Sequence, residues 1–445
     1  MFSFNGAKSF KGGIHPEEKK AITENLEFEV MPVPKQVAIP LAQHAGKPAR
    51  PLVKKGSEVK AGELIAEQDG FVSSNIHSSV SGKVLKITSG VNAGGFLKEM
   101  ILIETVGTNE IVLMPALHPQ KVTADEIRER IKLAGIVGQG GAAFPTHVKL
   151  NPPKDKKIEY VILNGCECEP YLTRDYRLML ERTEDIISGL LLIMKAVGAV
   201  KGVIGIEDNK PLAISKLNEA VKKYSNLSVE VLVTKYPQGA EKMLIKAITG
   251  KEVPPGKLPF DVGCIIQNIG TAVAINDAIV KGEPQLTAAL TVSGKGIKQQ
   301  KNLIVKVGTS ISDVLDYCGG VTEDAVKVIV GGPMMGVAQF DFSVPVTKAT
   351  SGILVLTDEE INAHTETNCL RCGKCVDVCP LQLMPTRLAR LSQLERYEDA
   401  EQLNITVCME CGTCTFICPA NIPLVQWIRL GKQKVMALQR ERQAS

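Results

Sequence analysis

Aromatic residues are scarce in this chain, 4% of 445 residues with a single Trp. A platform that stacks nucleic-acid bases needs more of them. Charge of one sign is missing too. The 52 basic and 48 acidic residues leave a net charge of +4, without the basic face of a nucleic-acid binder. No long apolar run is present. The most apolar stretch, residues 186–200, carries Lys195 and falls short of the roughly 20 residues that a bilayer span needs. The opening MFSFNGAKSFKGG lacks an apolar core and a cleavage site, so no export leader is expected. These absences imply a soluble protein, or one held at a membrane by a partner. What is present suits globular cores: 44% hydrophobic and 22% charged residues, in a length that implies roughly three or four domains.

The twelve cysteines narrow the class. Cys369, Cys372, Cys375 and Cys379 precede Pro380, and Cys408, Cys411, Cys414 and Cys418 precede Pro419. Each set reads C-x2-C-x2-C-x3-C-P, the spacing of two-cluster ferredoxins. One tight loop reaches three corners of a cubane, and the fourth ligand must come from another direction. The expected sets are therefore Cys369, Cys372, Cys375 with Cys418, and Cys408, Cys411, Cys414 with Cys379, each holding a [4Fe-4S] cluster. Disulfides would need an oxidising compartment, and zinc sites seldom repeat this spacing before Pro. The apolar spacing of Leu388, Leu391 and Leu394 between the motifs predicts a helical ferredoxin module. Cys264 and Cys318 lack any such spacing and read as buried structural thiols.

Upstream, the pattern changes along the chain. Residues 1–110 read as short strands with turn signals. Their phrase KKGSEVKAGELIAE…GFVSS…SSVSGKVLKI resembles the barrel-sandwich hybrid of lipoyl and biotinyl carriers, but the tip Ser74-Asn75-Ile76-His77 has no Lys to modify. A docking or scaffold role is expected there, with His77 a packing or surface residue. Residues 111–285 alternate helices and strands, beginning with a capping box at Thr123 and Glu126, which implies a mainly parallel sheet covered by helices. Residues 286–345 turn strand-rich around one helix, Ser310 to Tyr317, and resemble a soluble-ligand-binding β-grasp (SLBB). Residues 346–445 complete the chain with the cluster domain. The fold class expected is multidomain α+β: barrel-sandwich hybrid, Rossmann-like α/β domain, β-grasp and helical ferredoxin.

Four segments of the α/β region follow strands or open helices, where a cleft forms. They are Gly135 to Lys149, glycine-rich and ending in Lys; Asn164-Gly-Cys-Glu-Cys-Glu-Pro; Tyr236-Pro-Gln-Gly-Ala-Glu-Lys; and Gln267-Asn-Ile-Gly-Thr. Glycines let backbone amides approach a phosphate and Lys149 adds charge, although the first segment is neither a Walker A nor a G-x-G-x-x-G loop. In this order the segments resemble the FMN- and NADH-binding subunit of respiratory complex I. With the flanking domains, nearly the whole chain resembles the RnfC family, the C-type subunits of Rnf complexes. Those are membrane assemblies that link ferredoxin and NAD to ion translocation.

The resemblance implies roles. Gly138, Gly140, Gly141, Lys149, Asn164, Glu167, Gly239, Asn268 and Thr271 would hold FMN. Phe144 would stack on NADH, and Glu169 and Glu241 would contact it. Gln139, Cys166, Ala240 and Gly270 depart from the family pattern, which has Arg, Asp, Glu and Glu there. The implied activity is electron exchange between NAD(H) and ferredoxin through FMN and two [4Fe-4S] clusters. The subunit would be peripheral, on the cytoplasmic face of the membrane and bound to other subunits of its complex. Other readings remain: a pure iron–sulfur relay without a nucleotide site, a scaffold, or the diaphorase subunit of a soluble hydrogenase or formate dehydrogenase. The barrel-like start argues against the last. The basic tail from Leu424 to Arg442 is expected either to dock on a membrane partner or to cap the cluster domain.

Overall fold

The computed structural model describes residues 7–107, 110–361 and 365–444. The first residues of the stretch read for a leader lie outside these. In the barrel domain, strands Gln36–Pro40, Leu97–Thr105, Gly82–Val91 and Glu58–Val59 form one antiparallel sheet, and Arg50–Pro51, Leu64–Glu67 and Ile76–His77 a second. Inward residues Val37, Ile39, Ile65, Ile76, Ile101 and Ile103 fill the space between them. The tip that would carry a modified Lys is docked instead. Lys348 reaches it from beyond the β-grasp helix, its Nζ donating to the carbonyls of Asn75 (2.8 Å) and Gly135 (2.6 Å). His77 is buried beside it, 7% exposed.

The α/β domain is built on four parallel strands in the order Leu227–Leu232, Lys201–Glu207, Tyr160–Gly165, Cys264–Asn268. The capping box forms as the sequence predicts: Thr123 accepts from the Glu126 amide, and the Glu126 carboxylate accepts from the Thr123 amide. The helix Thr183–Val197 buries Ile186, Leu190 and Ile193 on one face. It stops at Gly198, whose φ of 66° ends the last turn. Strand order reverses across Tyr160–Gly165, so the crevice lies between this strand and Cys264–Asn268. Asn164 and Asn268 are register partners at that point.

The β-grasp sheet draws on more chain than residues 286–345. Its six strands run Phe28–Val30, Lys301–Lys306, Thr287–Ser293, Gly352–Thr357, Ala325–Val330, Val337–Gln339. The apolar strand Gly352–Thr357 is buried throughout and closes the core, while Phe28–Val30 extends the edge. Asn302, fully buried, donates to the Thr23 and Leu26 carbonyls and accepts from Thr173 and Thr291. One carboxamide thus ties the N-terminal segment, the α/β domain and the β-grasp together.

In the cluster domain, Gly373 (φ 79°) and Gly412 (φ 81°) each open a short helix, Lys374–Asp377 and Thr413–Phe416. Two residues earlier, Arg371 and Glu410 also take left-handed backbone, so the two cysteine loops repeat one conformation. The helix Leu424–Ala444 packs on Pro385–Gln393 and Tyr397–Gln402. Its Arg429 and Lys432 pair with Glu410, and Arg442 pairs with Glu401. The helix caps the cluster domain with three of its five basic residues, while Lys434 and Arg440 are exposed. Among the described residues no helix is long and apolar enough to cross a membrane.

Candidate functional site

The nucleotide segments meet at the switch-point crevice. Asn268 caps the helix Ile269–Asn276 through the Gly270 amide (2.8 Å) and takes a second bond from buried Arg174 (3.0 Å). Gln139, in the glycine-rich loop, is stitched to the same turn. Its amide donates to Thr271 Oγ1 (3.0 Å) and its side chain to the Gly270 carbonyl (3.1 Å). Gly140 (φ 77°) lies so close to Asn268 that a Cβ there would sit 3.0 Å from Nδ2, whereas Gly141 faces open space. Asn164 Nδ2 donates to the Gly239 carbonyl (2.7 Å), joining the end of the first strand to the third segment. Lys149 and Glu241 pair at 2.6 Å, both partly exposed. Phe144 stands at the rim, 37% exposed.

Two sequence-predicted carboxylates turn inward. Glu167, at φ 48°, accepts from the amides of Asp175 (2.6 Å) and Tyr176 (3.1 Å). Glu169 accepts from the amides of Met334 and Met335, both at 2.9 Å, in the β-grasp loop. Burial pushes each carboxyl up to about 7, against the pull of these amides and of Lys20. Lys20 itself donates to the carbonyls of Glu167, Glu169 and Leu172. Lys210 holds the Cys166 carbonyl at 2.7 Å. The loop after the first strand is therefore pinned from below by two buried ammonium groups. Sequence reasoning missed Lys20, Arg174 and Lys210, because each acts across the fold with no local spacing to mark it, and it read Gln139 only as a departure from the family's Arg.

FMN fits this crevice on two observations. The glycine-rich loop leaves room that side chains would fill, and buried polar atoms lack protein partners there. The Gln238 carboxamide, fully buried beside Gly239, has neither atom paired, and Gln267 Nε2 is likewise unpaired.

The thiols gather in a second centre. Cys379, Cys408, Cys411 and Cys414 line one apolar pocket walled by Leu383, Leu388, Val425 and Ile428. Cys375 lies within electrostatic range of Cys418 and Cys369. Among the described residues no three His, Cys, Asp or Glu side chains converge as they would on a single ion. Burial pushes the Cys408 thiol up to about 11 and Cys414 to about 12. Thiolates in such surroundings need bound cationic metal, which the donor chemistry of an iron–sulfur cluster supplies. The amides of Arg371, Glu410 and Leu383 donate to the sulfurs of Cys369, Cys408 and Cys379, each at 3.4 Å. Such bonds tune a cluster's potential.

The two centres touch. Tyr236, 1% exposed, opens the third nucleotide segment, and its hydroxyl donates to the Cys411 carbonyl at 2.8 Å. Ile14, Cys168 and Met334 pack around the same contact.

A flavin-type α/β crevice joined to a paired four-cysteine domain defines an NAD-linked iron–sulfur flavoprotein of the electron-transfer class. Family descriptions agree along the chain: RnfC barrel sandwich hybrid domain over residues 8–108, Nuo51 FMN-binding domain over 131–277, SLBB domain over 290–338 and 4Fe-4S dicluster domain over 360–419. The C-type subunit of the proton-translocating ferredoxin:NAD(+) oxidoreductase complex of Clostridium ljungdahlii is 48% identical over 430 residues, 96% of this chain and 94% of that one. The Na(+)-translocating counterpart of Acetobacterium woodii is 47% identical, covering 97% and 98%. An NAD+-reducing [NiFe]-hydrogenase shares the fold over 72% of this chain and 66% of its own, with a TM-score of 0.52 and 18% identity. The chain belongs to the RnfC family of ion-translocating oxidoreductase complexes.

Proposed function

We propose that this chain exchanges electrons between NAD(H) and a ferredoxin-linked partner, as a peripheral subunit at the cytoplasmic face of an ion-translocating membrane complex. The observation that carries the reading is the Tyr236 bond, which makes the nucleotide crevice and the buried cysteine pocket one continuous unit. When bound, FMN would take two electrons together from NADH and release them singly to clusters that carry one at a time.

The chain's residues do the positioning. Gly138, Gly140 and Gly141 clear space for the flavin phosphate, and Lys149 supplies positive charge. Asn164, Gly239, Asn268 and Thr271 frame the ring side, with Phe144 at the entrance for the nicotinamide nucleotide. Glu241 holds Lys149 until a phosphate competes for it. Glu167 and Glu169 act through the loop they fix rather than by direct contact. Cys369, Cys372, Cys375 and Cys418 take one cluster; Cys408, Cys411, Cys414 and Cys379 take the other.

The pure-relay reading draws on one observation, that both loop carboxylates already spend their oxygens on backbone amides. Anaerobically prepared protein separates the two. About eight irons, one FMN per chain and bleaching of both chromophores by NADH are expected. Full iron with no flavin uptake and no bleaching would leave only the relay.

A further inference from the structure

The glycine-rich loop is a hairpin with a tether on each side. The Gly138 amide donates to the Phe144 carbonyl at 2.9 Å and Val137 pairs with Pro145, so residues 139–143 form the tip. One side is stitched to the α/β domain, through the bonds of Gln139 to Thr271 and Gly270. The other is stitched to the barrel: the Ala45 amide donates to the Ala143 carbonyl at 3.2 Å. Ala143 needs that second tether. Its φ of 51° is left-handed, a conformation that a Cβ disfavours. The next residue is Phe144, at the rim, so the backbone at Ala143 sets where that ring is presented.

The barrel end of the tether is itself fixed. Residues 43–47 lie between the strands Gln36–Pro40 and Arg50–Pro51. Gly46, at φ 101°, lies so close to Val72 that a Cβ would sit 2.1 Å from its carbonyl oxygen, and the Lys47 amide donates to that oxygen at 2.9 Å. The Lys348 amide donates to Gln43 Oε1 at 3.2 Å, while Lys348 Nζ spans the Asn75 and Gly135 carbonyls. The hairpin therefore rests on the barrel twice, at its root through Gly135 and at its tip through Ala143. His44 and His147 lie within electrostatic range of each other across the same seam.

We propose that the barrel domain is a positioning element of the nicotinamide-nucleotide site, its residues 43–47 holding the hairpin tip through the Ala45–Ala143 bond so that Phe144 is placed for the nucleotide. The inference rests on the proposed reading of the crevice as an FMN and NADH site. Ala45 and Gly46 act through the hairpin rather than on the nucleotide. A carrier-like barrel with a docked tip and no Lys to modify has its use here.

The test uses the full chain loaded with FMN and iron. Ala45→Pro deletes the donating amide, and Gly46→Ala keeps that amide but forces residues 43–47 away from Val72. Equilibrium binding of NAD+ and of FMN is measured, with the KM and kcat of NADH bleaching. In both variants NAD+ affinity falls and KM rises about threefold to tenfold, while kcat stays within about twofold. FMN affinity stays within about twofold, because the Gln139 tether is intact. Adding Ala143→Gly to either variant restores NAD+ binding to within about twofold of native, since glycine takes the left-handed backbone unaided. Gly56→Ala strains a barrel turn with open space around it and leaves NAD+ binding within about twofold of native. Unchanged NAD+ binding in both Ala45→Pro and Gly46→Ala, equal losses of FMN and NAD+, or no rescue by glycine overturns the proposal. The native chain tells the two failures apart. If it binds NAD+ and bleaches with NADH while the variants match it, this inference alone falls; if it does neither, the crevice reading falls.

Discussion

The crossed ligation can be tested by removing the fourth cysteine of either motif. Cys379→Ala takes a ligand from the pocket of Cys408, Cys411 and Cys414, although it lies in the first motif. Cys418→Ala takes one from the set containing Cys369 and Cys375, although it lies in the second. Each variant should lose one cluster, so iron falls from about eight to about four per chain. Counting iron does not say which cluster survives, but exposure does. After Cys379→Ala the survivor sits among Cys369 and Cys372, on the exposed loop; after Cys418→Ala it sits beside Cys411 and Cys414, both over nine-tenths buried. Attack by an iron chelator on a buried cluster waits for local opening, and each 1.4 kcal/mol or so of opening cost slows it about tenfold. Bleaching should therefore be at least about tenfold faster in Cys379→Ala than in Cys418→Ala. Circular dichroism on both shows that the chain stays folded. The reverse order of rates, or equal rates, would refute the crossed arrangement.

Tyr236→Phe leaves the Cys411 carbonyl without its donor and should cost about 1–2 kcal/mol in urea unfolding; an unchanged midpoint would remove the hydroxyl from any structural part. Lys149→Met should weaken FMN binding about tenfold or more, read by quenching of flavin fluorescence, while stability changes by less than about 1 kcal/mol because the Glu241 pair is partly exposed. Acid should loosen the barrel. Burial, and then the Lys348 charge, hold His77 down at about 3 in the folded chain, against an ordinary value of 6.5. The unfolded chain takes up that proton first, so stability present above pH 6.5 is lost as pH falls towards 3. At pH 5 the loss is about 2 kcal/mol from this residue. Lys348 is the charged group that acts on it, and His44, held down at about 4 by burial and then by the same Lys348 charge, adds to the same trend. Urea unfolding of His77→Gln against the native chain at pH 7.5 and pH 5 checks the slope; equal slopes would be the wrong answer.

Short-range patterns were legible in the sequence. The cysteine spacing, the capping box at Thr123, the alternation of Tyr160–Gly165 and its neighbouring strands with helices, and the buried state of Cys264 and Cys318 all rest on residues close together in the chain. What was not legible comes from pairing at long range. Phe28–Val30 joins a sheet whose neighbour strand is Lys301–Lys306, and nothing local in a three-residue strand announces that. Gly352–Thr357 reads equally well as the start of the next domain until its partners are known. Glu167 and Glu169 read as strand-end carboxylates facing a cleft, yet the amides that claim them come from residues 175, 176, 334 and 335. Lys20 carries no motif at all, and its value lies in three carbonyls roughly 150 positions away.

The Asn302 carboxamide has a practical consequence. The chain looks modular, and a protein engineer would be tempted to excise the barrel unit or the flavin unit at the apparent seams. Cutting between residues 26 and 173 or between 173 and 302 strips buried groups of their partners on both sides of the cut. Minimal fragments of this protein should therefore melt early or aggregate, and grafting its parts onto other scaffolds calls for carrying the keystone and all of its neighbours together.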